Sequence, residues 1–299
     1  MEQLLAWIAQ SQGRWSATAG ALKKTYDGAR KLTFILSILG ALAAAVASQQ
    51  QDEALRRALA IAGATMLAIG GLVTARFLAP NKAVRWVRAR AASEALKRAA
   101  YTFSAQAAPY DDAATRESAL RTEVQKIEAD VDDLLDIQTP GQRGSTPDGA
   151  FAASDYVGQR VEKAATWYEA SAGKHQSAAK RLRVAELLLA LGTTVLTALI
   201  GAVSKEWLQG QTGFDWAVLI AVLTTVSGVV LAHIEASRFD YLVTSYRAAA
   251  RRLRYELVGA PTAVVVPSPE WSAFVARCED IIADETGSWA ARFSKPTSL

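Results

Sequence analysis

The chain is poor in the residues from which compact chemical sites are usually built. It holds one cysteine, Cys278, which excludes an internal disulfide and fits a reducing compartment. Its two histidines, His175 and His233, lie far apart with no cysteine beside either, so the ordinary Cys/His zinc site is excluded as well. No Gly-rich phosphate loop, HExxH or GxSxG pattern occurs. The expectation is a protein without cofactor, metal or enzymatic activity. Charge of one sign is lacking too: 33 Lys and Arg against 29 Asp and Glu leave a net charge of +4. A basic nucleic-acid surface would need more, so no nucleic-acid partner is expected. Glu2 and a polar stretch precede Lys23 and Lys24, so no cleavable signal peptide is expected at the start.

What is present is segregation. Mean hydropathy is +0.10 although 21% of residues are charged, because apolar residues gather into four runs with the charges between them. A bilayer-spanning helix needs about 20 predominantly apolar residues, and spans are expected at about 32–48, 58–78, 184–203 and 216–233. Arg76 is the one charge inside the second run and can snorkel toward headgroups. Short loops join the runs pairwise, so the fold class is all-α, with two transmembrane hairpins on amphipathic helices. The competing soluble reading buries the same apolar hairpins inside a helical bundle.

Between the hairpins, Leu120, Val124, Ile127, Val131 and Leu134 are spaced four, three, four, three. This is an a/d stripe on a helix over 115–138. It is too short for a free-standing coiled coil and is expected to pack on a neighbouring helix or on another subunit. Residues 139–149 carry two prolines, three glycines and no strongly apolar side chain, and read as a linker. They separate two copies of one unit, 1–138 and 150–299. Trp15 stands before Ala29-Arg30-Lys31-Leu32 much as Trp167 stands before Ala179-Lys180-Arg181-Leu182. In each copy, two apolar runs, a basic helix, a proline-bearing break and a last helix follow. Ser154 or Asp155 is expected to cap the second copy's first helix. Ser268-Pro269 is expected to open its last one, with Trp271, Phe274, Cys278, Ile281 and Trp289 on one face.

Segments flanking the runs hold 19 Lys and Arg, whereas the hairpin loops hold three, Arg56, Arg57 and Lys205. The positive-inside rule then puts both termini in the cytoplasm of a multi-pass inner-membrane protein. Within the runs, Glu186, Thr193, Thr197 and Gly201 share one helical face, as do Thr224 and Gly228 in the fourth run. Ser37 and Ser48 lie on the first. As a pore wall, these residues would offer space, hydroxyls and, at Glu186, a cation-favouring charge. Helix packing in membranes calls for the same residue types. Arg247, Arg251, Arg252 and Arg254 cluster after the fourth run and suit anionic headgroups or nucleotide phosphates. Trp167-Tyr168 suits a ligand platform, core packing or an interfacial aromatic belt.

An ordered set of residues completes the reading. After the first hairpin come Trp86, Arg88, Arg90, Ser93-Glu94, Lys97, Tyr101 and Ala108-Pro109-Tyr110. Before the second come Tyr156, Arg160-Val161, Trp167-Tyr168 and Lys174. After it come Arg238-Phe239, Tyr246, Ala249, Leu253, Phe274-Val275, Glu279-Asp280, Glu285 and Trp289. Together they resemble the SLATT family, the SMODS- and SLOG-associating two-transmembrane effector domains, in tandem form. The resemblance implies a membrane effector of prokaryotic conflict systems that perforates or depolarises the membrane when a partner senses infection. It implies a homo-oligomer triggered by a sensor protein or a nucleotide second messenger, a fused sensor domain not being expected. A membrane-anchored adaptor for a cytosolic sensor and a constitutive small-ion channel are the alternatives.

Overall fold

The computed structural model describes residues 2–203 and 215–293, with side chains in the last helix as far as Glu285. Lys205 and the side chain of Trp289 lie outside the described residues. Nine α-helices run in order among them: α1 Glu2–Gln49, α2 Glu53–Phe77, α3 Pro80–Ser104, α4 Arg116–Ala129, α5 Ala153–Tyr156, α6 Lys163–Ala202, α7 Trp216–Ser237, α8 Phe239–Val258 and α9 Pro269–Phe293. A π-helical stretch, Val157–Glu162, joins α5 to α6, and a 3-10 helix, Asp132–Ile137, follows α4. No strand occurs among the described residues, and the all-α class holds. Four helical segments are long and apolar enough to cross a membrane. Compactness divides the chain into two units. The first takes residues up to 26, 80–173 and 243 onward; the second takes 27–79 and 174–242.

The first unit is an aromatic-centred helical bundle. Trp15, Phe103, Tyr156, Trp271 and Phe274 are each at most 1% exposed, and burying a large apolar side chain contributes about 1.5–3 kcal/mol. The buried indole N–H of Trp271 needs an acceptor, and it donates to the carbonyl of Ala105 at 2.7 Å. The cap of α9 forms as its sequence foretells: Pro269 opens the helix and Ser268 Oγ accepts from Trp271 N at 3.2 Å. Ser154 and Asp155, by contrast, are no caps. The helix begins at Ala153 behind Ala152, whose methyl group cannot accept a hydrogen bond.

The helix over 115–138 is shorter than its stripe. It ends at Ala129, and Leu134 reaches the core from the 3-10 helix that follows. Asp130, Asp132 and Asp133 fall where the helix would continue. Aspartate is a weak helix former, and negative charge is disfavoured near a helix C-terminus. Arg88 instead ties Asp133 down through Nη1 at 2.7 Å.

Residues 139–149 are docked on α1. Gly144 N donates to Ala9 O and Thr139 N to Thr18 Oγ1, both at 2.8 Å. The approach is backbone on backbone: a Cβ on Gly13 would overlap the Gln142 carbonyl and stand 2.9 Å from Gly144 N. Polar, glycine-rich composition here serves close contact between main chains.

In the second unit, α1 and α2 cross at glycines. A Cβ on Gly63 would lie 3.0 Å from Gly40 O and 3.2 Å from Ala44 N, the close approach that small residues permit between membrane helices. Asp52 caps α2 by accepting from Leu55 N at 2.8 Å. Within this unit α1 also meets α7, which runs antiparallel to it. Gln49 exchanges two side-chain hydrogen bonds with the backbone of Asp215, at 3.1 and 3.3 Å. Toward the other end, the rings of Phe34 and His233 stand 4.5 Å apart and Arg30 Nη1 donates to Ala236 O at 3.2 Å. The chain divides after the fourth run, where the second copy's basic helix begins. α7 runs on to Ser237, Arg238 takes a left-handed conformation with φ 48°, and α8 starts at Phe239.

Candidate functional site

The candidate pore residues lie on the second unit's spans, and most face outward. Thr197, Gly201, Thr224, Gly228 and Ser48 are exposed; Glu186, Thr193 and Ser37 are half-buried. Their hydroxyls are largely engaged within their own helices. Thr193 donates to Leu189 O, Thr197 to Thr193 O and Ser48 to Ala45 O, at 2.7–2.8 Å, and Thr224 to Ile220 O at 2.9 Å. This back-bonding satisfies the donor where no water is at hand and leaves the oxygen's remaining acceptor capacity facing out. The Glu186 carboxylate makes no hydrogen bond or ion pair to the described residues.

Burial in the spans is slight. The most apolar 18-residue windows are 11% buried in three of them and 0% in the α6 segment. Val184, Leu187, Leu188, Leu191, Val195 and Leu199 of α6 are 47–63% exposed. A single copy therefore carries these small and hydroxylated positions on its surface.

The arginine cluster is partly committed to protein partners. Arg254 grips Glu169 with Nε and Nη2, both at 2.9 Å, and Arg252 Nη1 reaches Asp284 at 3.3 Å. Bidentate Arg–carboxylate pairing occupies the fork that a phosphate would use. Arg247 and Arg251 are exposed on the same helix. The 120–134 stripe is accounted for inside the chain: Leu120, Val124, Ile127, Val131 and Leu134 are 0–7% exposed, and α4 packs on α3. Trp167 and Tyr168 part ways, Tyr168 being 4% exposed and Trp167 47%. Trp15, aligned with Trp167 in the two halves, is fully buried.

Sequence reasoning passed over the most concentrated chemistry in the chain. Arg160 and Glu279, 5% and 1% exposed, form a bidentate pair at 2.9 and 2.7 Å. Tyr156 Oη donates to the same carboxylate at 3.1 Å, and the ring of Tyr101 lies 4.8 Å from the guanidinium. Burial works against the Arg160 charge, but Glu279 holds the guanidinium protonated, above its ordinary range. The π-helical stretch that carries Arg160 is the local irregularity that marks the place, since such turns insert a residue and re-aim side chains. Beside it, burial lowers the Lys97 ammonium and pushes the Glu285 carboxyl up to about 7. A close pairing of Arg160 with Glu279, 119 residues away, leaves no mark in sequence spacing. No cluster of His, Cys, Asp or Glu suited to a metal ion occurs among the described residues.

Comparison with known families gives two matches. Residues 156–289 match the model of SMODS and SLOG-associating 2TM effector domain 1, SLATT_1, and residues 13–118 match that of a protein of unknown function, DUF4231. No curated protein and no solved structure matches the chain.

Proposed function

We propose, from the membership of residues 156–289 in the SLATT family of two-transmembrane effector domains, that this four-span membrane protein is a triggered, membrane-permeabilising effector of a prokaryotic conflict system. The observation that carries the reading is where the small and hydroxylated span residues lie. Thr197, Gly201, Thr224 and Gly228 are exposed on one copy, so any conducting path they line forms between copies. Bringing several chains together would bury the apolar α6 face against neighbours or lipid and turn the threonine acceptors toward water. Glu186, at the edge of its span, would then form a ring that favours cations. In this reading residues 1–138 are a second, diverged copy of the unit in 150–299, and both termini are cytoplasmic.

The test is leakage from liposomes holding the purified full chain, with and without candidate nucleotides, together with crosslinking in the bilayer. The expected result is triggered ion leakage from a crosslinkable oligomer. In a potassium chloride gradient, Glu186→Gln is expected to move the reversal potential toward zero. No leakage under any condition, with Glu186→Ala silent in cells, overturns the pore. The second reading, a membrane-anchored adaptor, then stands. Tyr255 and Val258 favour it: one turn apart on α8 and 79% and 90% exposed, they offer a foothold to a cytosolic protein.

A further inference from the structure

In the first unit the helices pack in series. Arg252–Asp284 at 3.3 Å and Arg277–Glu256 at 3.0 Å tie α8 to α9. In turn α9 packs on α3, with Arg98–Asp280 at 2.6 Å, and α3 packs on α4. The 3-10 helix Asp132–Ile137 follows α4 and is held to α3 through Arg88. Its outer edge and the outer face of α8 are therefore separated by α9 and α3. Both surfaces expose apolar side chains beside charges of one sign, and the two signs are opposite.

On α8, Arg251, Tyr255 and Val258 are spaced four and three and share one face. Tyr255 and Val258, with Val265 in the loop that follows, are the most exposed large apolar side chains among the described residues, more so than any on the spans. Beside Tyr255 lies an open hollow of about 600 Å³, lined by Arg251, Arg252 and Arg277 against Glu256 and Asp280. Arg252 and Arg277 are spoken for by their carboxylates. Arg251 is exposed and makes no ion pair to the described residues. It is the charge left over.

The 3-10 helix presents the counterpart. Residues three apart eclipse in such a helix, which puts Asp132 and Leu135 on one edge. Leu135 is 51% exposed, the only exposed leucine of the first unit among the described residues. Asp132 and Asp136 beside it are exposed, without ion pairs to the described residues. The edge is held from behind, because Leu134 is 1% exposed and Asp133 pairs with Arg88. A surface already fixed loses little further conformational freedom on binding.

We infer that the Asp132–Leu135–Asp136 edge of one chain docks on the Arg251–Tyr255–Val258 face of a second copy of this chain, Leu135 against Tyr255 and the aspartates on Arg251. The two surfaces differ, so the contact is head-to-tail and repeats from chain to chain, closing a ring where the rotation allows. Confinement to one bilayer raises the effective concentration of the partner, which lets a small contact suffice. Tyr255 and Val258 also suit an adaptor's cytosolic partner, but a second copy is favoured because this chain carries the matching acidic edge. The contact rests on the effector reading in that it joins the chains which that reading brings together, and it is measured without leakage.

The experiment co-expresses two differently tagged full-length chains, one with Leu135→Cys and the other with Val258→Cys, and treats the membranes with a short bismaleimide. Cys278 is buried and does not react. Mixed dimers are expected, with far fewer crosslinks when either chain is expressed alone. Arg251→Glu on the Val258→Cys chain, or Asp132→Arg on the Leu135→Cys chain, sets like charges face to face and should cut the mixed dimer roughly tenfold. The two reversals together should restore it to within about threefold, and unchanged melting temperatures would show that the variants fold. Absence of the mixed dimer overturns the inference. So do same-site crosslinks as abundant as the mixed ones, yields indifferent to both reversals, or a double reversal that loses more than either single one. Capture of the Val258→Cys chain by a different protein in place of its own kind overturns it in the adaptor's favour. Mixed dimers without leakage in the liposome assay leave the contact standing and remove the pore; leakage without mixed dimers does the reverse.

Discussion

At the scale of single residues, buried charge sets the behaviour of the first unit. Arg160 and Glu279 satisfy one another almost completely, and Tyr156 supplies a further donor. Removing one partner strands the other in a low-dielectric interior. Arg160→Met is therefore expected to cost about 3–5 kcal/mol, while the Arg160→Met/Glu279→Met double variant recovers most of it. Denaturant titration of the detergent-solubilised chain reads both, and equal losses in the single and double variants would refute the pairing argument. Glu285 is a pH handle. Burial raises its folded pKa to about 7 from the ordinary glutamate value of 4.5, so below about 4.5 it is protonated folded or unfolded and costs nothing. As pH rises toward 7 the unfolded chain releases the proton first, and stability falls by up to about 3 kcal/mol, nearly complete by pH 7. Glu285→Gln should remove that slope from melting temperature against pH between 4.5 and 7.

At the scale of elements, the contrast between two glycines of α1 shows what packing adds to propensity. A Cβ on Gly20 meets nothing within 4 Å, whereas one on Gly13 overlaps the 139–149 main chain. Gly20→Ala should stabilise by about 0.5–1 kcal/mol through helix propensity. Gly13→Ala should lose about 1–3 kcal/mol to overpacking and loosen the docked segment. Limited trypsin digestion checks this at Arg143, where the Gly13 variant should be cut faster than Gly20→Ala. On α4, Leu120→Ala should lower stability by about 2–5 kcal/mol, as for a fully buried leucine. It should leave the crosslinked oligomer size unchanged, because the stripe is covered within the chain; a smaller oligomer would return it to a subunit interface.

At the scale of the whole molecule, the open question is which side of the bilayer each segment occupies. Positive charge outside the hairpin loops predicts that Gln51, in the first loop, faces out, and that Ser118, on α4, faces the cytoplasm. The single native thiol helps the measurement. Cys278 is fully buried, and burial pushes its thiol up to about 12, so it is inert to maleimide. Gln51→Cys should label in intact cells and Ser118→Cys only after permeabilisation. Labelling of Ser118→Cys in intact cells would reverse the orientation.

Much of the architecture was legible before any coordinates, because what decides it is local. Run length against bilayer thickness identifies four spans, and a four/three apolar rhythm identifies the core-facing stripe of α4. Serine before proline identifies the start of α9. These depend on neighbours within a turn or two of the chain. The 139–149 segment and the Arg160–Glu279 centre depend on residues brought together from far apart in sequence. Composition reads the segment as a linker, and its close backbone contact with Gly13 is not visible in composition. The sequence determined the helices, the spans and the balance of charge. Only the tertiary structure decided which tryptophan is core and which stays open, and which arginines have partners. It alone set Arg160 against Glu279, because burial belongs to the packed chain and to no residue taken singly.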